Sequence, residues 1–199
     1  QNRLDAKKIK KFIENKIVII TGSAGSIGSE LARRIITFKP KQLLLIDSSE
    51  NAIYNLRLSL ENKSNIENIK FFCTNIRNQE EVEKIFLKFK PDLVFHAAAL
   101  KHVSICEDNI SEAIRTNILA TEFLTDMVEK YKSKCFVLIS TDKAVDPTSV
   151  MGATKRISEM ITQSKDRFIK NNARFISVRF GNVLGSTGSV VPLFKKQIT

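Results

Sequence analysis

The strongest constraint on the fold is an alternation. Six short apolar runs are separated by stretches whose apolar residues recur at helical spacing. The runs are Lys16–Thr21, Gln42–Asp47, Ile69–Thr74, Asp92–His96, Cys135–Ile139 and Ala173–Arg179. Helical patterns follow the first run through Phe38 and cover Glu80–Phe89, Glu107–Tyr131 and residues 150–171 further on. A short apolar run followed by a helix predicts a buried parallel strand, because parallel strands need a crossover over one face of the sheet. The predicted class is therefore α/β, a doubly wound parallel sheet. Residues 1–15 read as a basic N-terminal helix or linker, with Leu4, Ile9, Phe12 and Ile13 near helical spacing, and residues 16–199 as one domain.

The first run leads into Gly22-Ser23-Ala24-Gly25-Ser26-Ile27-Gly28 and then into a helix. Strand, glycine turn and helix in that order form a dinucleotide-binding unit. The glycines let a pyrophosphate reach the backbone, and the helix start offers it free N–H groups. The spacing is Gly-x-x-Gly-x-x-Gly, which alone would also suit an ordinary tight turn. Context decides: the second run ends in Asp47, 25 residues after Gly22. A carboxylate there accepts bonds from ribose hydroxyls and repels a 2′-phosphate, so the pattern predicts NAD rather than NADP. The plainer reading of Asp47 is a cap for the next helix. Asn75 and Ile76 follow the third run, where an adenine could rest. Ala97, Ala98 and Ala99 follow the fourth and are small enough for a cofactor to lie close to the backbone.

A length of 199 residues with 43% hydrophobic residues suits one well-cored globular domain. No apolar run approaches the ~20 residues that cross a bilayer, and nothing at the start resembles a secretory signal. The three cysteines, Cys73, Cys106 and Cys135, are odd in number and lack metal-ligand spacing. They predict a reduced, cytoplasmic domain with no metal site. The net charge is +11, concentrated in residues 1–16 and 164–199. Without arginines interleaved among aromatics, that charge predicts a lysine-rich surface and no nucleic-acid partner. The first methionine is Met127 and the chain stops inside a helical pattern. The expectation is a piece of a longer protein, with its C-terminal substrate portion truncated.

The chemistry concentrates in residues 139–156. There the fifth run passes into Ser140-Thr141-Asp142-Lys143, and Pro147 with its polar neighbours turns the chain into a helix carrying Met151 and Lys155. Met151 and Lys155 are four apart and share a helix face. Ligands of open α/β sheets sit outside the carboxyl ends of the strands. The sequence thus places Thr141, Asp142, Lys143 and Lys155 together at such an end, as a set that can move protons. The plainer reading of Asp142-Lys143 is a surface turn pair.

Together with His96-Ala97-Ala98-Ala99-Leu100-Lys101-His102-Val103 and Arg179-Phe180-Gly181-Asn182-Val183-Leu184-Gly185, these motifs resemble the extended short-chain dehydrogenase/reductases, which have a Rossmann-type fold. More narrowly, residues 12–199 are similar to the UDP-N-acetylglucosamine 4,6-dehydratases of polysaccharide and glycan biosynthesis. The resemblance implies a hydro-lyase that uses NAD. Hydride leaves C4 of the sugar, the resulting ketone acidifies the C5 proton, water leaves from C6, and the hydride returns to C6. It assigns Asp142 as acid, Lys143 as base and Thr141 as a bond near the 4-oxygen. Lys155 holds the nicotinamide ribose. For these roles Asp142 must be protonated and Lys143 neutral, so both must be shifted. Lys101, His102 and Asn182 fall at substrate-binding positions, and Asn117 at the position of a helix asparagine that supports the active-site lysine through water. Structural histidine is an equally good reading of His102.

One position departs from the superfamily: where a tyrosine stands four residues before the lysine, this chain has Met151. The tyrosines Tyr54 and Tyr131 are followed at i+4 by Leu58 and Cys135, so neither restores the pattern. Methionine there is similar to the larger, C5-retaining branch of the dehydratases, which implies a membrane-anchored, homo-oligomeric full-length protein at the cytoplasmic face. A thioether takes no proton, so another group must serve the 4-hydroxyl. Lys155, a water or the Asp142-Lys143 pair are the alternatives. An epimerase or reductase of the same superfamily, and a non-catalytic NAD-binding domain, are the competing readings.

Overall fold

The computed structural model describes residues 5–61, 67–168, 172–181 and 183 of the chain. Six strands form one sheet: β1 (Ile17–Thr21), β2 (Gln42–Asp47), β3 (Ile69–Cys73), β4 (Leu93–His96), β5 (Cys135–Thr141) and β6 (Arg174–Phe180). Their order is β3-β2-β1-β4-β5-β6, and every pairing is parallel. The order reverses between β1 and β4, which opens a crevice at the carboxyl edge. Register aligns the tips there. Thr21 lies beside His96, Asp47 beside Cys73, and Thr141 beside Phe180.

Both faces of the inner strands β1, β2 and β4 are covered, so these are apolar along most of their length, whereas the edge strand β6 leaves Ile176 and Val178 exposed. On one face Ile19, Leu44, Ile46, Val94, Phe136 and Leu138 pack against α4 (Gln79–Phe89) and α7 (Ala120–Lys130). On the other, Val18, Ile20, Leu43, Leu45 and Leu93 pack against α1 (Ala6–Ile13), α2 (Ser26–Thr37) and α3 (Glu50–Glu61). Alternate residues of one strand thus serve two cores. Among the described residues no helix is long and apolar enough to cross a membrane.

Four details differ from the sequence reading. Residues 6–13 are helical, capped by the Asp5 carboxylate on Lys8 N, and Ile13 is buried, but Phe12 of the expected apolar stripe is 48% exposed. The sequence reading gives the helix after Asp47, α3, no bounds, although Ile53, Leu56 and Leu60 bury at helical spacing. The single helix expected over 107–131 is instead α5 (Val103–Asp108), α6 (Ile110–Ala113), a π-helical turn (Ile114–Leu119) and α7. Lastly, β5 runs two residues further than the apolar run, because Ser140 and Thr141 pair with Arg179 and Phe180 of β6.

Candidate active site

The glycine turn is shaped by crowding. Gly22 has φ +64°, and a Cβ there would lie 2.5 Å from Ala98 N, so the turn presses on the alanine run after β4. A Cβ on Gly28 would lie 2.1 Å from the Gly22 carbonyl, which lets α2 start against the strand. Gly25 is different: its Cβ would meet only the Gly22 oxygen, at 3.3 Å, with open space otherwise. Two glycines build the turn, and the third leaves room beside it for a phosphate. The buried Ser23 hydroxyl has no hydrogen-bond partner among the described residues. Asp47 accepts from Ala24 N at 2.9 Å and from Ser49 N at 3.1 Å, so its carboxylate braces the turn as well as the start of α3.

Beyond β3, Asn75 accepts from Arg77 N at 3.0 Å, closing a turn. The Ile76 side chain is buried in the core and leaves only its backbone toward the crevice. A cavity of about 560 Å³ opens at this corner, lined by Asn75, Ile76, Arg77, Glu112, Arg115 and Leu119 among others. It lies at the expected adenine end rather than at Asp142.

Behind β4 a polar chain crosses the core. His96 is buried, with Nδ1 2.7 Å from Thr21 Oγ1 and Nε2 3.0 Å from Thr121 Oγ1. Thr121 spends its proton on the Asn117 carbonyl at 2.6 Å, so His96 Nε2 donates to it and Nδ1 accepts from Thr21. Burial first, and the Lys155 charge second, push His96 down to about 3, which keeps it neutral. Asn117 lies in the π-helical turn. Its amide accepts from Leu100 N at 2.9 Å and donates to Leu100 O at 3.1 Å and to Thr154 Oγ1 at 2.9 Å. It therefore steers the residue before Lys155, not Lys155 itself. Lys101 and His102 are exposed at the entrance to α5, at the same edge.

The helix α8 (Val150–Phe168) starts on Ser149, whose hydroxyl accepts from Gly152 N at 3.1 Å, and Val150 N donates to Glu107 at 2.8 Å. A Cβ on Gly152 would sit 2.4 Å from the Lys143 carbonyl. That glycine, absent from the sequence reading of the site, lets the catalytic candidate's backbone lie on the helix. Met151 is 4% exposed and packs with Cys106, Ala113, Leu100 and Val150. It acts as a packing residue where the superfamily has its tyrosine, not as an acid or base. Lys155 is 5% exposed, and its Nζ donates to the Ile139 carbonyl at 2.7 Å. Burial lowers it to about 8, although Glu159 pulls it upward. Glu159 was not among the sequence candidates, nor was Arg179 singled out. Their carboxylate and guanidinium meet in two bonds of 2.8 and 2.6 Å.

At the tip of β5, Thr141 Oγ1 donates to Asp142 Oδ1 at 2.9 Å, and Lys143 Nζ reaches the same oxygen at 3.3 Å. Asp142 Oδ2 lies against Gly181, where a Cβ would come within 3.4 Å. The side chains are 57% and 42% exposed for Asp142 and Lys143. Thr141 first, then Lys143, hold the Asp142 carboxyl below its usual range. The expectation of a raised Asp142 is thus not met within this chain, because water still reaches the pair. Asn182 lies outside the described residues. Among the described residues no group of three or more His, Cys, Asp or Glu could hold a metal ion.

A parallel 3-2-1-4-5-6 sheet with a glycine turn at its switch point, and an acid–amine pair and helix lysine two strands away, defines an extended short-chain dehydrogenase/reductase. The chain belongs to the polysaccharide biosynthesis protein family, whose model matches residues 18–199. It is 45% identical over 197 residues to the capsular polysaccharide biosynthesis protein CapD of Staphylococcus aureus, covering 98% of this chain and 33% of CapD. It is also 37% identical to the UDP-glucose 4-epimerase of Rickettsia canadensis, over 92% of this chain and 54% of that protein. Among solved structures, Pen from Bacillus thuringiensis superposes with a TM-score of 0.88 at 38% identity, over 94% of this chain and 58% of Pen. The chain spans about a third of the length of CapD, so it carries one part of what such a protein does.

Proposed function

We propose that the full-length protein is an NAD-dependent 4,6-dehydratase that converts UDP-N-acetylglucosamine to the UDP-4-keto-6-deoxy sugar for polysaccharide biosynthesis. The observation that carries this reading is the strand-tip cluster, in which the Thr141 hydroxyl and Lys143 amine share one oxygen of Asp142. The residues fit the cofactor. A side chain at Gly25 would meet a single atom, the Gly22 carbonyl oxygen at 3.3 Å; Asp47 rejects a 2′-phosphate, Ala97 to Ala99 line the approach, and Lys155 stands behind the crevice. When bound, NAD supplies a hydride acceptor for C4 and the same hydride for C6, so no net oxidation occurs.

The chain's own residues do the rest. As an exposed ion pair, Asp142 and Lys143 carry the wrong protons for an acid and a base. Exclusion of water by the sugar and by the remaining part of the protein disfavours both charges. A proton passing from the Lys143 ammonium to the Asp142 carboxylate then leaves a neutral acid and a free amine side by side. As hydride leaves C4, the 4-hydroxyl gives its proton to Lys155, a water or the Asp142-Lys143 pair. Lys143 takes the C5 proton, Asp142 gives its proton to the departing C6 hydroxyl, and the Lys143 ammonium returns a proton to C5 as the hydride reaches C6. Thr141 orients the 4-oxygen, while Lys101, His102 and Asn182 serve the nucleotide and sugar.

Similarity to the Rickettsia epimerase favours a second reading, transfer of hydride out and back at C4 alone. The Asp142-Lys143 pair weighs against it, because hydride transfer at C4 alone has no use for an acid and a base at C5 and C6, whereas Met151 bears on both reactions equally. Mass spectrometry of UDP-N-acetylglucosamine after incubation with full-length protein decides. A product lighter by one water is expected; an isomer of equal mass would establish epimerisation, and unchanged substrate would leave neither reaction standing.

A further inference from the structure

The sequence ends the active-site motif at Lys155, but the structure continues it one helical turn further. The Glu159 side chain is only 1% exposed, although a lone carboxylate does not tolerate burial. Its partners come from two elements. Arg179 of β6 holds both oxygens, at 2.8 and 2.6 Å, and Arg156 of α8 approaches at 3.4 Å. Arg179 pairs with Ser140 in the sheet and stands two residues before Gly181, which rests on Asp142. Glu159 therefore ties to α8 the same strand end that walls the acid.

We propose that Glu159, held by Arg179, is a positioning residue: it locks the tip of β6 to α8 and keeps Lys155 cationic behind the cofactor site. The charges around Lys155 favour this role. On its own helix stand Glu159 and Arg156, on β4 the neutral His96, on β5 the Ile139 carbonyl, and on β6 Arg179 through Glu159. Glu159 is the sole anion in that set. Its carboxyl would rise with burial, but Arg179 and Arg156 hold it below its usual range, so the charge is kept. Without it, the buried Lys155 ammonium would lose the one anion on its helix turn, and Arg179 and Arg156 would lose their shared partner.

The inference rests on the reading of Lys155 as a cofactor-holding amine, and one set of measurements separates the two. Calorimetric NAD⁺ titrations of the full-length protein from pH 6 to 10 give the alkaline limit of binding, set by loss of the Lys155 proton. Glu159→Gln should move that limit down by about one pH unit, as a nearby charge in a partly screened interior does. Glu159→Asp keeps the charge but shortens the reach to Arg179, so it should hold the limit within about 0.3 units while weakening binding several-fold. A limit unmoved in Glu159→Gln, or moved equally in Glu159→Asp, overturns the proposal while leaving the cofactor reading intact. If Glu159→Gln does not fold, the Asp variant decides: NAD⁺ binding weakened several-fold with the limit held supports the proposal, and unchanged binding or a moved limit overturns it. Failure of the wild-type protein to bind NAD⁺ overturns the reading beneath it.

Discussion

The two halves of the candidate site are built in opposite ways. Around Lys155 the polar groups are buried and already paired: His96 between two threonines, Asn117 between Leu100 and Thr154, Glu159 on Arg179. Around Asp142 and Lys143 the groups touch one another but stand half in water. Buried polar networks hold their geometry because an unpaired member is costly. An exposed ion pair contributes little to the fold and is free to change its protonation. The difference teaches a division of labour. The groups behind Lys155 are paired within this chain, and the strand tip stands open to water.

The sharpest break between the halves should appear in activity. Asp142→Asn or Lys143→Ala in the full-length protein should lower turnover about 10²- to 10⁴-fold, the usual range for one acid–base group. Either change should leave the unfolding midpoint nearly unchanged, because surface substitutions stay within about 0.5 kcal/mol. Lys143→Ala should also stop exchange of the C5 proton with solvent, read by deuterium incorporation. A large drop in the midpoint for either variant would mean that the strand tip is structural after all.

Acid should strike the buried half first. His96 stays neutral down to about 3 in the folded chain, but an unfolded histidine takes its proton near 6.5. Between those values the unfolded chain binds more protons. Stability is therefore fully present above pH 6.5 and is lost as pH falls toward 3. Urea midpoints measured from pH 7 to pH 4 should reveal a loss on the order of a few kcal/mol. His96→Gln should flatten that slope, and Asp142→Asn should not.

The glycine turn permits a finer contrast. Gly22→Ala meets the Ala97-Ala98 backbone just after β4 and a left-handed φ, and should destabilise by about 3 kcal/mol in thermal or urea unfolding. Gly25→Ala meets only the Gly22 carbonyl oxygen, at 3.3 Å, so it should cost clearly less stability than Gly22→Ala and weaken NAD⁺ binding. Equal stability of the two variants would break the distinction between building and binding glycines. Asn117→Ala should cost about 2 kcal/mol, less than Gly22→Ala, by stranding the Leu100 backbone and the Thr154 hydroxyl.

What could be read in advance follows the range of the interactions. Strand identity and sheet class are local, written in apolar runs such as Leu43–Ile46 that have no exposed face to fill. The glycine turn, Asp47 and the Asp142-Lys143 pair are likewise short motifs. Glu159 escaped notice because its meaning comes from Arg179, 20 residues away on another element. Gly152 reads as a mild helix fault until the Lys143 carbonyl is seen against it. The protonation of Asp142 was not legible, since it depends on whether water reaches the strand tip rather than on neighbouring letters.

The wider turn at Ile114–Leu119 has a consequence of its own. A π-helical turn amounts to one residue more than an α-helix would use, and each residue advances a helix by about 100°. Deleting one residue from that stretch would rewind it to ordinary pitch and swing the Asn117 amide away from Leu100 and Thr154. The wiring behind Lys155 therefore depends on a count as well as on chemistry: a change in the length of that segment would misplace Asn117 even with every side chain kept.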